Sequence, residues 1–250
     1  MDDAIRALAR AERVLAFTGA GVSTASGIPD FRGPDGLWKR FDPAEFEYDR
    51  LVADPSRFWT LRAKLEAALN LEAARPNAAH RALAAAEGSG RLVGVVTQNV
   101  DGLHLAAGTS PERLVELHGA AREVQCLVCR ARHPVAVARE DLARGRVPPR
   151  CPACGGALKP GVTLFGETLD AAAWARADAF ARRADIVLVV GSSLGVYPAA
   201  LVPRRVVEAG GGLVIVNREP TPFDDDADAL VREDVATALP RLMAGAGLVR

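Results

Sequence analysis

No stretch of this 250-residue chain reaches about 18 uninterrupted apolar residues, the length a membrane-crossing helix needs. The best apolar runs, Ile186 to Val190 and Leu213 to Val216, have the length of strands. An excess of one charge is also missing, since 31 Lys and Arg face 31 Asp and Glu. Without a net field the chain has no global attraction for nucleic acid or anionic lipid, so neither is expected as a partner. Met1 to Arg13 is charged throughout and lacks the apolar core of a secretion signal, so a cytoplasmic location is expected. Internal repeats and low-complexity tracts are absent, apart from a richness in Ala and Arg that favours exposed helix. No segment advertises an apolar interface, and a monomer is expected. What remains, 49% hydrophobic and 25% charged residues, is ordinary globular composition and excludes a disordered chain. The length suits one large domain, or one with a small module.

A first helix is predicted from about Asp3 to Ala11, followed by a short buried strand, Val14 to Phe17, that runs into Thr18-Gly19-Ala20-Gly21. Further strands are expected at Leu92 to Val96, Arg113 to Leu117, Ile186 to Val190 and Leu213 to Val216. Helical patterns lie around His80 to Glu87, Ala171 to Arg183 and Ala199 to Ala209. This alternation implies an α/β fold with a doubly wound, mostly parallel sheet. Two segments break the rhythm. Gly33 to Arg75, rich in aromatics and charges, reads as loop then helix, and Arg122 to Lys159 holds all four cysteines with several prolines and few helix signals. Both read as insertions that pack together as a smaller lobe beside a cleft.

The cysteines form two C-x-x-C pairs, Cys126/Cys129 and Cys151/Cys154, with 21 residues between the pairs. Each pair can place two thiolates on one tight turn, and two turns complete a zinc tetrahedron. Four thiolates leave no position for water or substrate, so such a zinc is structural. Disulfides are the competing reading, disfavoured in a chain without an export signal.

Gly19-Ala20-Gly21-Val22-Ser23 follows a strand and is expected to open a helix. Small residues there let backbone N–H groups approach a phosphate, and a helix dipole would add attraction. The dinucleotide pattern G-x-G-x-x-G fails at Thr24, and a tight turn without a ligand stays open. Asp30, Phe31 and Arg32 then place a carboxylate, a ring and a guanidinium side by side; a ring can cover a flat heterocycle, or simply anchor the loop. Gln98, Asn99 and Asp101 lie just past the strand Leu92 to Val96, where ligands bind in open α/β sheets, although Asp101 also suits a helix cap. His118, past the strand Leu114 to Leu117, is a candidate general base; His80 and His133 read as structural, and His104 as support for its turn. Gly191-Ser192-Ser193 and Asn217 close two more strands. Lys159 to Glu167 and Leu194 to Pro198 look extended, so a peptide can add between them as a strand, held by backbone pairing that tolerates sequence.

These elements, in this order from about Gly19 to Val235, resemble the sirtuin family of NAD-dependent protein-lysine deacylases. The resemblance implies a Rossmann-type domain in three parts, 1–32, 76–121 and 160–250, with a helical module at 33–75 and a zinc module at 122–159. It implies NAD as a consumed cosubstrate and one structural zinc on Cys126, Cys129, Cys151 and Cys154. Gly19, Ala20, Gly21, Ser192 and Ser193 would lie near the phosphates and adjoining ribose; Ser23, Asp30, Arg32 and Gly191 stand in the same motifs. Phe31 would shield the nicotinamide end, and Gln98, Asn99 and Asp101 would hold its ribose and carboxamide. Asn217 would meet the adenosine ribose and Val235 the adenine. Val162, Phe165, Gly166, Glu167, Val196 and Tyr197 would flank an acyl-lysine peptide. The lysine's acyl oxygen would attack the nicotinamide ribose, and His118 would then deprotonate a ribose hydroxyl. Products would be lysine, nicotinamide and O-acyl-ADP-ribose.

Deacetylation is the expected activity. A family class selective for acidic acyl groups carries Tyr-x-x-Arg on its helical module. Here Trp59 replaces the Tyr and Arg62 matches the Arg, so desuccinylation or demalonylation is the alternative, against Arg62 as an exposed helix charge. Mono-ADP-ribosyl transfer would use the same cleft. A zinc-ribbon binding module without chemistry lacks support from the zero net charge, and an NAD-linked oxidoreductase would call for the full glycine fingerprint.

Overall fold

The protein is described by a computed structural model covering residues 1–33 and 36–249. Pro34, Asp35 and Arg250, which fall within the expected 33–75 and 160–250 segments, lie outside the described residues.

In chain order the elements are α1 (Asp2–Arg10), β1 (Val14–Thr18), α2 (Tyr48–Ala53), α3 (Pro55–Leu69), α4 (Ala78–Ala86), β2 (Leu92–Thr97), α5 (Leu103–Ala106), β3 (Leu114–Glu116), β4 (Gly119–Cys126), β5 (Arg132–Pro134), α6 (Val135–Ala143), β6 (Leu158–Val162), α7 (Ala171–Arg183), β7 (Ile186–Val190), α8 (Leu201–Glu208), β8 (Gly212–Val216), β9 (Ala229–Val231) and α9 (Val235–Gly245).

Six strands form one parallel sheet in the order β3-β2-β1-β7-β8-β9. Numbered within this sheet alone, that order is 3-2-1-4-5-6, the dinucleotide-binding topology, with its switch point between β1 and β7. The central strands read as unbroken apolar runs because both faces are covered. Alternate residues go to opposite sides. Val14, Ala16, Leu188 and Val190 join a core with α1, α4 and α9, whereas Leu15, Phe17, Val187 and Val189 join one with α7 and α8. Arg91 fastens the first of these layers, its guanidinium donating to the carbonyls of Leu8 and Ala11 at the end of α1 and of Ala246 just past α9.

The remaining strands, β5-β4-β6, make an antiparallel sheet. A third core, containing Leu51, Phe58, Trp59 and Leu65 of α2 and α3 together with Val124, Cys126, Cys151 and Leu158, joins this sheet to the 28–74 segment. The α/β architecture with a parallel sheet and a smaller cysteine-bearing lobe is therefore as the sequence predicts.

Two local expectations are corrected. No α-helix follows the glycine loop; Ala20–Val22 and Thr24–Ser26 are single 3₁₀ turns, ended by Gly27 at φ 85°. Attraction from a helix dipole is therefore not available there, and isolated N–H groups carry any phosphate contact. The 122–159 segment contains α6, which the surrounding Pro, Gly and Cys conceal.

No helix among the described residues is long and apolar enough to cross a membrane.

Candidate active site

The sequence-predicted polar residues gather beyond the carboxyl ends of β1, β2, β3, β7 and β8, where an open parallel sheet receives its ligand. At the switch point the loops after β1 and β7 touch backbone to backbone. Gly21 N–H donates to the Gly191 carbonyl at 2.8 Å, and a Cβ on Gly191 would lie 2.4 Å from Val22 N. Only glycine permits that approach, and Gly191 also sits at φ 60°. Ser192 is buried beside this contact and its Oγ accepts from Gln98 Nε2 at 2.8 Å, linking the β2 and β7 loops; Ser193 is exposed.

Ser23, Asn99 and Asp101 converge. Ser23 Oγ donates to Asp101 Oδ2 at 2.7 Å and accepts from Asn99 Nδ2 at 3.0 Å. Leu103 N–H donates to Asp101 Oδ1 at 2.9 Å, so Asp101 holds the turn into α5 as well as joining the cluster, while the N-cap itself is Gly102. Burial raises the Asp101 pKa, against the hydrogen bonds from Leu103, Ser23 and Asn99, which lower it.

His118 lies two residues beyond β3. Its Nδ1 is 3.0 Å from the Gln98 carbonyl, which can only accept, so Nδ1 carries the proton and Nε2 keeps its lone pair. Burial pushes the His118 pKa below 6.5 and the Arg32 charge pushes the same way, while the Gln98 bond opposes both. The imidazole is therefore neutral at neutral pH, the form a general base needs. The next residue, Gly119 at φ 75°, lets the chain turn directly into β4; a Cβ there would meet the Gly161 carbonyl at 2.2 Å.

Phe31 stacks against Trp38 at 5.0 Å between centroids, and Trp38 lies 5.8 Å from Phe165. Trp38 thus connects the ring predicted to cover a nicotinamide with the segment predicted to bind peptide. The sequence reading missed it; Trp38 is one of several aromatics in the 33–75 segment, and nothing in their spacing singles it out. Asp30 is held locally, accepting from Gly33 N–H at 2.8 Å, and Arg32 is exposed. Asn217, at the end of β8, donates from Nδ2 to the Glu219 carbonyl at 2.7 Å. Val235 is buried at the start of α9, in the sheet's own core.

On the predicted peptide side, Phe165 and Tyr197 are large apolar side chains left exposed, Gly166 is exposed and Val196 is half-buried. Val162 is buried, and the Glu167 carboxylate faces Lys159 at 2.9 Å. Trp59 and Arg62 do not point to solvent. Trp59 Nε1 donates to the Leu158 carbonyl at 2.8 Å, and Arg62 Nε donates to Glu66 Oε1 at 2.8 Å. Arg62 is buried, so the reading of an exposed helix charge is corrected; α3 turns this side inward against β6.

Beneath the cleft is a histidine pair whose connections the sequence reading did not detect. Asn77 N–H donates to His80 Nδ1 at 3.3 Å, which leaves Nε2–H to donate to Ser23 Oγ at 3.4 Å. His104 Nε2 is 3.0 Å from Thr18 Oγ1, and the two rings meet edge-on at 4.9 Å. Burial lowers the His80 pKa to about 4, helped by Arg81, and that of His104 to about 3, helped by His80. Depressed folded-state values mean that the unfolded chain binds more protons below pH about 6.5. Stability is therefore complete above that pH and falls as pH drops toward 4. Urea unfolding should show a loss of about 3 kcal/mol from one such histidine between pH 7.5 and 4.5. His104→Gln should flatten this dependence; an unaltered slope would contradict the assignment.

The four cysteine sulfurs lie within 4.8 Å of one another. Cys126 Sγ is 3.5 Å from Cys154 Sγ, and Cys129 Sγ is 3.7 Å from Cys151 Sγ. A tetrahedron with Zn–S bonds of ~2.3 Å has S···S edges of about 3.8 Å, so the donor set fits zinc. The N–H groups of Val128 and Cys129 point at Cys126 Sγ and, against the opposing effect of burial, bring that thiol down to about 6. His133 Nε2 approaches Cys151 Sγ at 3.3 Å, an outer contact on a ligand from a residue read as merely structural.

A model of the Sir2 family matches residues 19–198. An NAD-dependent protein deacetylase of Haloarcula marismortui is 49% identical over 245 residues, covering 97% of this chain and 93% of that protein. A solved complex of Sir2 with a p53 peptide and NAD+ has a TM-score of 0.87 at 38% identity, covering 98% of this chain and 97% of that one. A Sir2 variant with a deacetylated p53 peptide and 3′-O-acetyl-ADP-ribose has a TM-score of 0.90 at 36% identity, covering 100% and 99%.

Proposed function

Because the chain belongs to the Sir2 family and is an NAD-dependent protein deacetylase, we propose that its reaction is organised around His118 at the carboxyl ends of β1, β2 and β7. The observation that carries this is the Nδ1–H bond to the Gln98 carbonyl. It leaves Nε2 as an unprotonated base in a ring kept neutral by burial. NAD is the cosubstrate. The Gly19-Ala20-Gly21 loop, whose Gly19 and Gly21 N–H groups are taken by the Val190 and Gly191 carbonyls, offers the Ala20 N–H to the phosphates, with Ser192 and Ser193 beside it. Ser23, Gln98, Asn99 and Asp101 hold the nicotinamide ribose and carboxamide, and Gly191 allows the close approach. Phe31 covers the nicotinamide end, with Asp30 and Arg32 shaping that loop. Asn217 and Val235 serve the adenosine end. The bond between the ribose C1′ and the cationic nicotinamide ring breaks, its electron pair neutralises the ring as nicotinamide leaves, and the acetyl oxygen bonds to C1′. His118 then takes a proton from a ribose hydroxyl, which attacks the acyl carbon; the bond from that carbon to the lysine nitrogen breaks, lysine leaves as the free amine, and water completes O-acetyl-ADP-ribose.

An acyl-lysine peptide lies extended between the 162–167 and 194–197 segments, with the exposed Phe165 and Tyr197 on its two sides. Backbone pairing there tolerates varied protein substrates. The third core supports treating 33–75 and 122–159 as one smaller lobe beside the parallel sheet. The four cysteines are clustered to bind one zinc ion, which, fully enclosed by thiolate, supplies rigidity to that lobe. A reducing cytoplasm suits four thiols gathered as metal ligands, and the proposed oligomeric state is a monomer.

The acyl group is acetyl. An acidic acyl chain would need the Trp59 N–H and a free Arg62, but Leu158 takes the first and Glu66 neutralises the second. One Arg62 nitrogen, Nη2, is buried without a hydrogen-bond partner among the described residues, which is the observation favouring the acidic-acyl alternative. Acetyl- and succinyl-lysine peptides should differ at least about tenfold in kcat/KM, the value of one well-placed or misplaced charge contact. Arg62→Ala should not change that ratio; loss of succinyl turnover in this variant alone would establish the alternative.

A further inference from the structure

Lys159 is buried, its side chain 6% exposed, and its ammonium makes two contacts. It donates to the Val162 carbonyl at 3.1 Å and meets Glu167 Oε2 at 2.9 Å. The same carboxylate oxygen accepts from Leu164 N–H at 2.9 Å. One ion pair thus grips both ends of the 162–167 segment and its middle. Around it are apolar side chains of the third core, among them Leu158, Val162 and Leu164. An apolar pair would fill such a position at no desolvation cost, and buried ion pairs contribute little net stability. Their best-attested use is to fix register.

Here the pair fixes a turn. Glu167 N–H donates to the Leu164 carbonyl at 3.1 Å and Gly166 sits at φ 81°, so Leu164 to Glu167 is a tight turn that carries the exposed Phe165, and any other path of that turn would move Phe165. The segment also joins three parts of the molecule. Thr163 N–H donates to the His118 carbonyl at 2.8 Å, and Tyr48 N–H of α2 donates to the Phe165 carbonyl at 2.9 Å. β6 brings Lys159 itself from the cysteine-bearing sheet.

We propose that the buried Lys159–Glu167 ion pair is a positioning device that sets the path of residues 162–167 and their turn against His118, so that acyl-lysine peptide binds in line with the base. Both residues act through the segment and touch no reacting atom. The inference rests on the deacetylase reading of the cleft and assigns the Glu167 carboxylate to the brace instead of to the peptide.

Lys159→Met, Glu167→Gln and the double variant test it, with acetyl-peptide and NAD varied separately, alongside thermal melting and zinc content. Lys159→Met should raise the peptide KM tenfold or more, with the NAD KM and the kcat at saturating peptide within threefold of wild type. Glu167→Gln, which keeps shape and one acceptor, should move the same constant in the same direction and serves if Lys159→Met does not fold. In the double variant no lone charge stays buried, so melting should recover toward wild type while the peptide KM stays high. A peptide KM within twofold of wild type in folded variants would overturn the inference. So would a peptide KM that recovers together with melting, because the pair would then be acting on stability alone. Wild-type protein unable to deacetylate the peptide would instead overturn the reading of the cleft, and this inference with it.

Discussion

His118→Ala should lower kcat/KM for NAD-dependent deacetylation by roughly 10²- to 10⁴-fold, the span of a lost general base. Melting temperature and zinc content should remain close to wild type. Among the described residues the ring makes one hydrogen bond, to the Gln98 carbonyl, and none of the three apolar clusters includes it. The loss should fall on turnover more than on NAD affinity, because the phosphate and ribose contacts come from other loops. The pH profile is part of the same result. Burial and Arg32 hold the His118 pKa below 6.5, so activity should stay high through neutral pH and decline only below that value as Nε2 becomes protonated. Arg32→Gln removes one of the two depressing influences and should move the acid limb upward. Near-normal deacetylation by His118→Ala would show that the base is another group.

Cys151→Ser, or removal of zinc by a strong chelator, should have the second-largest effect. Cys126 and Cys151 are buried in the core that joins α2 and α3 to the three-stranded sheet, so losing the metal leaves thiols or thiolates uncompensated inside it. In small zinc domains the metal contributes folding free energy on the order of 10 kcal/mol, of which a lobe supported by a neighbouring domain should lose a part. A loss of about 3 kcal/mol would lower the melting temperature by about 10 °C for a chain of this size. Activity should fall with it, because β4 starts one residue after His118 and β6 leads into the peptide-side segment. Cadmium, another tetrahedral thiolate binder, should restore both properties, since the closed site asks only for geometry. A metal-free protein that melted normally and stayed active would refute the structural role.

Much of the architecture was legible because the central strands are buried on both faces. Val14 to Phe17, Ile186 to Val190 and Leu213 to Val216 therefore read as uninterrupted apolar runs, and polar or glycine residues at their ends mark where the sheet opens to a ligand. The cysteine spacing was legible because metal chemistry fixes ligand type and turn length together. The turns after Gly19 were not, because a 3₁₀ turn and the start of an α-helix share composition over three residues. Helix α6 was hidden because Pro134 before it and the Gly, Pro and Cys residues after it dominate the local signal. The contacts of His80 with Ser23, of Trp38 with Phe31 and Phe165, and of Lys159 with Glu167 depend on how loops fold back, which spacing along the chain does not encode. Arg62 reads as a surface charge in a helix; that α3 buries this side follows from its partner β6, 96 positions onward at Leu158.

Product analysis with purified wild-type protein, NAD and an acetyl-lysine peptide tests the central assignment most directly. Nicotinamide, deacetylated peptide and O-acetyl-ADP-ribose should appear in equal amounts, none of them without the peptide, and their formation should collapse in His118→Ala. Acetyl removal without NAD, nicotinamide release indifferent to the peptide, or full product formation by the alanine variant would contradict it.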